Sequence, residues 1–203
     1  MSSTQARAYR RAGEIRDALR APQLEAPSLV ADAMGTTVAA LAALIRTLNA
    51  QIAEVEARLA ERFEQHPDAE LILSLPGLGV VLGARVLGEF GDSPNRYADA
   101  KARRNYAGTS PITIASGSSK AVLARFVRNR QLADACWQWA RCALSTSPGA
   151  RAYYNAHNPG PHTSRTARRK LANKLVGILH GVLETGVPYD ESTAFANWLS
   201  RAA

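Results

Sequence analysis

The chain is poor in cysteine: only Cys136 and Cys142 occur in 203 residues. With no second ligand pair they exclude a zinc module and a disulfide framework, and two buried free thiols in a cytoplasmic protein are expected. An apolar core segment is missing from the start, MSSTQARAYRRAGEIRDALRAP, so no secretory leader is expected. No apolar run approaches the ~20 residues that a membrane span needs, and no membrane partner is expected. Acid is also scarce, but only locally. Between Lys101 and Leu183 fourteen Lys or Arg stand against one carboxylate, Asp134, whereas residues 1–100 carry ten basic and thirteen acidic residues. The net charge of +8 thus belongs to one region. A basic block of this kind points to a polyanion, because each phosphate it neutralises releases condensed counterions. Glu89 and Asp92 are the carboxylates at the end of the helix that follows the central turn, and two are too few for two-metal nuclease chemistry, which needs three or four that converge. No metal site is therefore assigned.

That turn is Leu75-Pro76-Gly77-Leu78-Gly79, with Leu71, Ile72 and Leu73 before it and Val80, Val81 and Leu82 after it. It predicts a helix-hairpin-helix over residues 69–90, with Asp68 as the N-cap of the first helix. Small residues at the turn leave the N–H groups of the second helix open to a phosphate, so Pro76, Gly77, Leu78 and Gly79 are candidate DNA-backbone contacts. Leu78 should point inward as a pin, and Gly83 with Ala84 should let the helices pack closely. A plain Pro-Gly turn between two core helices is the alternative.

Residues 1–30 form an N-terminal extension, with a short basic helix over 4–20. From 31 to 65 a helix is expected, with apolar residues at Val38, Leu41, Ile45, Leu48, Ile52, Val55 and Leu59. Their alternation of three and four is a heptad seam, which fits a self-pairing coiled coil or a helix folded back on its own domain. Residues 66–203 form the remaining, helical domain.

Within it, residues 93–120 read as an ordered loop or short hairpin. Ser116-Gly117-Ser118-Ser119-Lys120 stands out there, because a small hydroxyl followed by Lys120, Arg125, Arg128 and Arg130 suits phosphodiester chemistry. A flexible phosphate-binding loop is the competing account. A long helix is expected over 121–147, with most of its apolar residues Leu123, Phe126, Val127, Leu132, Cys136, Trp137 and Trp139 in the core, and Arg125, Arg128 and Arg130 facing DNA. Tyr153 and Tyr154 read as packing, and Trp198 should fold back onto the body. A further helix starts at Ser164 or Thr166. Arg165, Arg168, Arg169, Lys170 and Lys174 crowd its first turns against the helix dipole, which suggests an external phosphate and marks Arg168 and Arg169 as DNA-binding.

The order of these motifs resembles one family, the DEDD transposases of insertion sequences of the IS-one-ten type, in their C-terminal domain. The segments that carry the resemblance are HPDAELILSLPGLGVVLGARVLGEFGD at 66–92, RYADAKARRNYAGTSPITIASGSSKAV at 96–122, SPGARAYYNAH at 147–157 and YDESTAF at 189–195. The resemblance implies a mainly α fold, with a coiled-coil helix leading into a serine-bearing transposase domain. It also implies DNA as partner, a structured guide RNA, and homo-oligomers formed through the coiled coil. The family serine falls on Ser116, with Ser118 and Ser119 as fallback positions. The family's RuvC-like nuclease domain, with four acidic Mg²⁺ ligands, has no counterpart in residues 1–65. No cofactor is therefore expected in this chain, and a phosphoserine link to DNA would need the nuclease half supplied in trans. The alternative is a non-enzymatic nucleic-acid-binding or oligomerisation remnant.

Overall fold

The computed structural model describes residues 3–21, 26–93, 95–160 and 163–199. The fold is mainly α. Helices α1 (Ser3–Arg20), α2 (Ser28–Glu64), α3 (Ala69–Ser74), α4 (Val80–Phe90) and α5 (Ala100–Tyr106) come first. A two-stranded antiparallel hairpin follows, β1 (Ile112–Ser116) and β2 (Ser119–Leu123). After it come α6 (Arg130–Thr146), α7 (Pro148–Ala156), α8 (Ser164–Thr185), α9 (Glu191–Ala194) and α10 (Ala196–Leu199). The chain divides into two units between Ile52 and Ala53, inside α2.

In the first unit the α2 stripe is uncovered: Val38, Leu41, Ile45, Leu48 and Ile52 are each more than half exposed. α2 also corrects the expectation about apolar length. An 18-residue stretch of it reaches a mean hydropathy of 1.7, long and apolar enough by length and composition to cross a membrane. Counting large side chains missed this because Ala39, Ala40, Ala42 and Ala43 fill the positions between them.

The second unit owns the core. Trp139 and Leu132 from α6, Leu171, Leu175 and Leu179 from α8, Val86 and Phe90 from α4, and Ile72 and Leu75 from the α3 side are buried together with Phe195. The α8 residues recur at the spacing of one helical face, which is why that helix lies as a central strut. Trp198 packs edge-on against Tyr153, with ring centroids 4.9 Å apart, and Tyr153 also contacts Phe195. Both contacts agree with the packing read for these residues.

Several local expectations change. The helix expected over 121–147 begins at Arg130, where the Asn129 side chain accepts the Leu132 N–H and residues 119–123 have already gone into β2. Phe126 and Val127, expected in the core, are 86% and 89% exposed because they lie in the non-helical link before that cap, and Leu123, also expected there, is exposed at the end of β2. α5 forms where a loop was read, since Asp99 caps it by accepting the Ala102 N–H. Asp68 stands at the start of α3, but its side chain makes no cap hydrogen bond there. Cys136 is buried, and burial pushes its thiol up to about 12, whereas Cys142 is exposed.

Candidate nucleic-acid interface

The central turn faces two ways. Leu75 and Leu78 are buried, and the Pro76 carbonyl accepts the Trp139 indole N–H at 2.9 Å. Gly77 has φ +80°, and a Cβ there would stand 2.4 Å from the Ala143 backbone nitrogen and 2.7 Å from the Cys142 carbonyl carbon. The glycine is thus required by the approach of α6 as well as by the turn. Gly79 differs: it is exposed with open space around it, and it precedes α4 with no side chain capping the first N–H groups. Gly83 lets α4 close on α3, since a Cβ there would meet Ile72 at 3.1 Å and Phe63 at 3.2 Å. Of the four candidate turn residues, Gly79 alone is classed as exposed. Leu78 is the inward pin.

The basic residues gather elsewhere. Ala107, Gly108 and Thr109 after α5, Ala124, Phe126 and Arg128 after the hairpin, the first two turns of α6 and the first turns of α8 line a groove of about 750 Å³. Arg128, Arg130, Arg165 and Arg169 reach it from three segments. Asp134 is the carboxylate on its lining, and it is engaged by Arg85 at 2.9 Å and by the Gln138 amide at 2.9 Å. Among the described residues none of the four arginines has a carboxylate within ion-pair distance. The arginines therefore present unneutralised charge in one concave place. Arg128 is held there by donating to the Arg125 carbonyl at 2.7 Å and by lying against Gly108.

The other candidates divide. Arg168 stacks on the Trp137 ring, 4.6 Å from its centroid, and Trp137 itself lines the groove. Arg125 is half-buried and donates to the Asn105 side chain at 3.2 Å. Lys120 is exposed on β2 opposite Ala115. The turn at 76–79 meets α6 at Trp139, Cys142 and Ala143, on the side of the helix away from that on which Trp137 lines the groove. The two candidate DNA contacts are thus separate places.

Ser116 pairs with Ser119 at the tip of the hairpin, around Gly117 at φ +56°. Its hydroxyl is exposed and has no hydrogen-bond partner among the described residues. Register puts Ile112 and Ile114 on the same face as Ser116, with Lys120 on the other. The hairpin thus holds Ser116 about five residues, or roughly 16 Å, beyond its base at the groove. Glu89 accepts from Asn129 at 2.7 Å, and Asp92 stands 3.4 Å from His66, so these two carboxylates serve different partners. Among the described residues no group of three or more His, Cys, Asp or Glu converges.

Sequence reasoning passed over Phe126 and Trp137 as part of the site, and left Arg165 unassigned. One signal was present: Trp137 and Trp139 are two residues apart, about 200° around a helix, so they cannot share one buried face.

Residues 69–155 match the family model described as Transposase IS116/IS110/IS902 family. The matched stretch is similar to a transposase domain of that family. It holds the central turn, the hairpin with Ser116, and the α6 side of the groove, while the α8 arginines lie beyond it. The chain is 43% identical over 166 residues to the "Mini-circle putative transposase for IS117" of Streptomyces coelicolor, a stretch covering 80% of this chain and 40% of that protein. It is 33% identical over 162 residues to the insertion element IS900 uncharacterized 42 kDa protein of Mycobacterium paratuberculosis, covering 79% and 41%. It is 29% identical over 171 residues to the insertion element IS110 uncharacterized 43.6 kDa protein of Streptomyces coelicolor, covering 82% and 42%. The chain spans about two fifths of the length of these relatives.

Proposed function

We propose that this chain is the DNA-binding, serine-bearing part of an insertion-sequence transposase, and that Ser116 is its nucleophile in DNA strand cleavage and rejoining. The observation that carries the reading is a groove of guanidinium groups that, among the described residues, have no carboxylate partner, inside and beside the stretch that matches the transposase family, at the base of a hairpin that carries Ser116. In the chemical step the Ser116 Oγ attacks phosphorus. An Oγ–P bond forms as a P–O bond to deoxyribose breaks, the serine proton passes to water, and the departing alkoxide is protonated from water. Rejoining is the reverse, with a deoxyribose hydroxyl displacing the serine. Among the described residues no cation is aligned on Ser116, so the charge that develops on the phosphate must be met by groups beyond this hairpin.

Those groups belong, in this reading, to an acidic nuclease domain that binds Mg²⁺. Glu89 and Asp92 do not fit a shared ion, because each is engaged by a different partner. The exposed seam of α2 supports self-pairing into an oligomer, and a structured guide RNA would be drawn by the same basic groove as DNA. The second reading, a non-enzymatic binding and oligomerisation remnant, is favoured by one observation: among the described residues the Ser116 hydroxyl has no hydrogen bond to a base.

The test mixes the chain with element-end DNA and a full-length relative, and looks for a protein–DNA adduct that survives denaturation. The adduct should vanish in Ser116→Ala. An adduct that persists in Ser116→Ala overturns the serine assignment, and no adduct from either protein favours the second reading.

A further inference from the structure

The groove has more in it than charge. Phe126 lines it with 86% of its surface open, an aromatic side chain that the free protein leaves in water. Beside it Trp137 is half-buried, backed by the Arg168 guanidinium at 4.6 Å, whose Nε is buried without a hydrogen-bond partner. The Arg168–Trp137 pair is therefore a fixed planar platform rather than a mobile surface contact. Around these rings stand Arg128, Arg130, Arg165 and Arg169, with the one lining carboxylate already taken by Arg85. Aromatic faces inside a ring of guanidinium groups are what an unstacked nucleotide needs: a surface for the base and donors for the flanking phosphates. A base paired within a duplex cannot use the rings. Its faces are covered by its neighbours, and a duplex laid over a concave groove touches the rim arginines alone.

We infer that this groove seats an unstacked nucleotide of single-stranded DNA, with Phe126 and Trp137 as stacking surfaces and Arg128, Arg130, Arg165 and Arg169 as phosphate partners. This rests on the reading that the chain binds DNA. It assigns the groove to a frayed or displaced strand rather than to duplex, and so places strand separation before or during the contact. Ser116 stands about 16 Å from the hairpin base, so the seated nucleotide lies a few nucleotides from the phosphate that serine would attack.

The experiment measures binding of the full chain to a fluorescent deoxythymidine 12-mer, to a duplex of the same length, and to the corresponding ribo-oligomer, at several salt concentrations. Phe126→Ala should weaken single-strand binding by about tenfold and leave duplex binding within twofold, the size expected of one lost stacking contact. Phe126 is so exposed that its removal does not threaten folding. Trp137→Ala should act in the same direction, with circular dichroism as the check that α6 remains. Arg165→Gln and Arg169→Gln should weaken single strand and duplex alike, each lowering the salt slope by about one. No binding of the unaltered chain to any oligomer sinks the DNA-binding reading itself. Duplex binding with no effect of Phe126→Ala on the single strand overturns the stacking groove alone. A ribo-oligomer bound more tightly than its deoxy counterpart reassigns the groove to RNA, and overturns the inference in the form given.

Discussion

Gly77 and Gly79 sit two residues apart in one turn, and the surrounding structure asks different things of them. Gly77 combines a left-handed φ with backbone atoms of α6 closer than any Cβ tolerates, and backbone cannot rotate aside as a side chain can. Gly79 has an extended conformation and empty space around it. Gly77→Ala should therefore destabilise the fold by about 2–4 kcal/mol, whereas Gly79→Ala should cost under about 1 kcal/mol. Urea unfolding of both variants decides it, and equal midpoints would show that the approach of α6 is not what fixes the glycine. If Gly79 also serves phosphate, Gly79→Ala should weaken duplex binding without moving that midpoint. Lys174 shows the same dependence on surroundings. It belongs to the basic crowd of α8, yet its ammonium lies 4.8 Å from the Phe195 ring centroid, and burial followed by the nearby Arg104 lowers its pKa. In a list of charges it counts with Arg169; in the fold it does not reach the groove lining.

Short elements at the end of the chain are held by one acid. Glu191, which opens α9, accepts from the Ser147 hydroxyl at 2.7 Å and the Gly149 N–H at 2.6 Å, and also from the Tyr189 hydroxyl. It thereby supplies a negative charge at the start of α7, where the helix dipole favours one, and clamps residues 189–191 onto the α6–α7 junction. Burial first, and then the bond to Glu191, push the Tyr189 hydroxyl up, so it stays a neutral donor. Glu191→Ala should cost about 1–3 kcal/mol, with Glu191→Gln retaining part of the clamp. Thermal unfolding measures this, and an unchanged midpoint in Glu191→Ala would mean the clamp adds nothing. The hairpin is an element of the other kind. Both its strands are exposed, apart from a half-buried Ile112, and its two-residue turn fixes the register that sets Ser116 at the tip.

For the molecule as a whole, the apolar stripe of α2 sets the assembly question. A seam of β-branched and leucine side chains left in water is covered when two or more copies pair, each heptad burying its a and d residues. Ile45→Lys combined with Ile52→Lys should convert an oligomer to a monomer in sedimentation velocity, while the helical spectrum of residues 53–199 persists. A wild-type chain that sediments as a monomer at micromolar concentration would count against pairing through α2.

The sequence by itself determined the mainly helical character and the place of several helices. The heptad spacing located α2, and the apolar runs located α3, α4 and α8. The acid-poor stretch from Lys101 to Leu183 located the basic region, and the order of motifs pointed to the stretch that matches the transposase family model. These are legible because periodicity and charge are local properties of the chain. The tertiary structure alone decided which charges act together. Arg128 and Arg130 precede or open α6, and Arg165 and Arg169 begin α8, some 35 residues later; only the packing of α6 on α8 makes them one rim. It also moved Phe126 from the expected core to the groove, because the Asn129 cap starts α6 three residues after it. A cap, a strand register and a close backbone approach are contacts between distant residues, and a contact between distant residues is written in the fold before it can be read in the sequence.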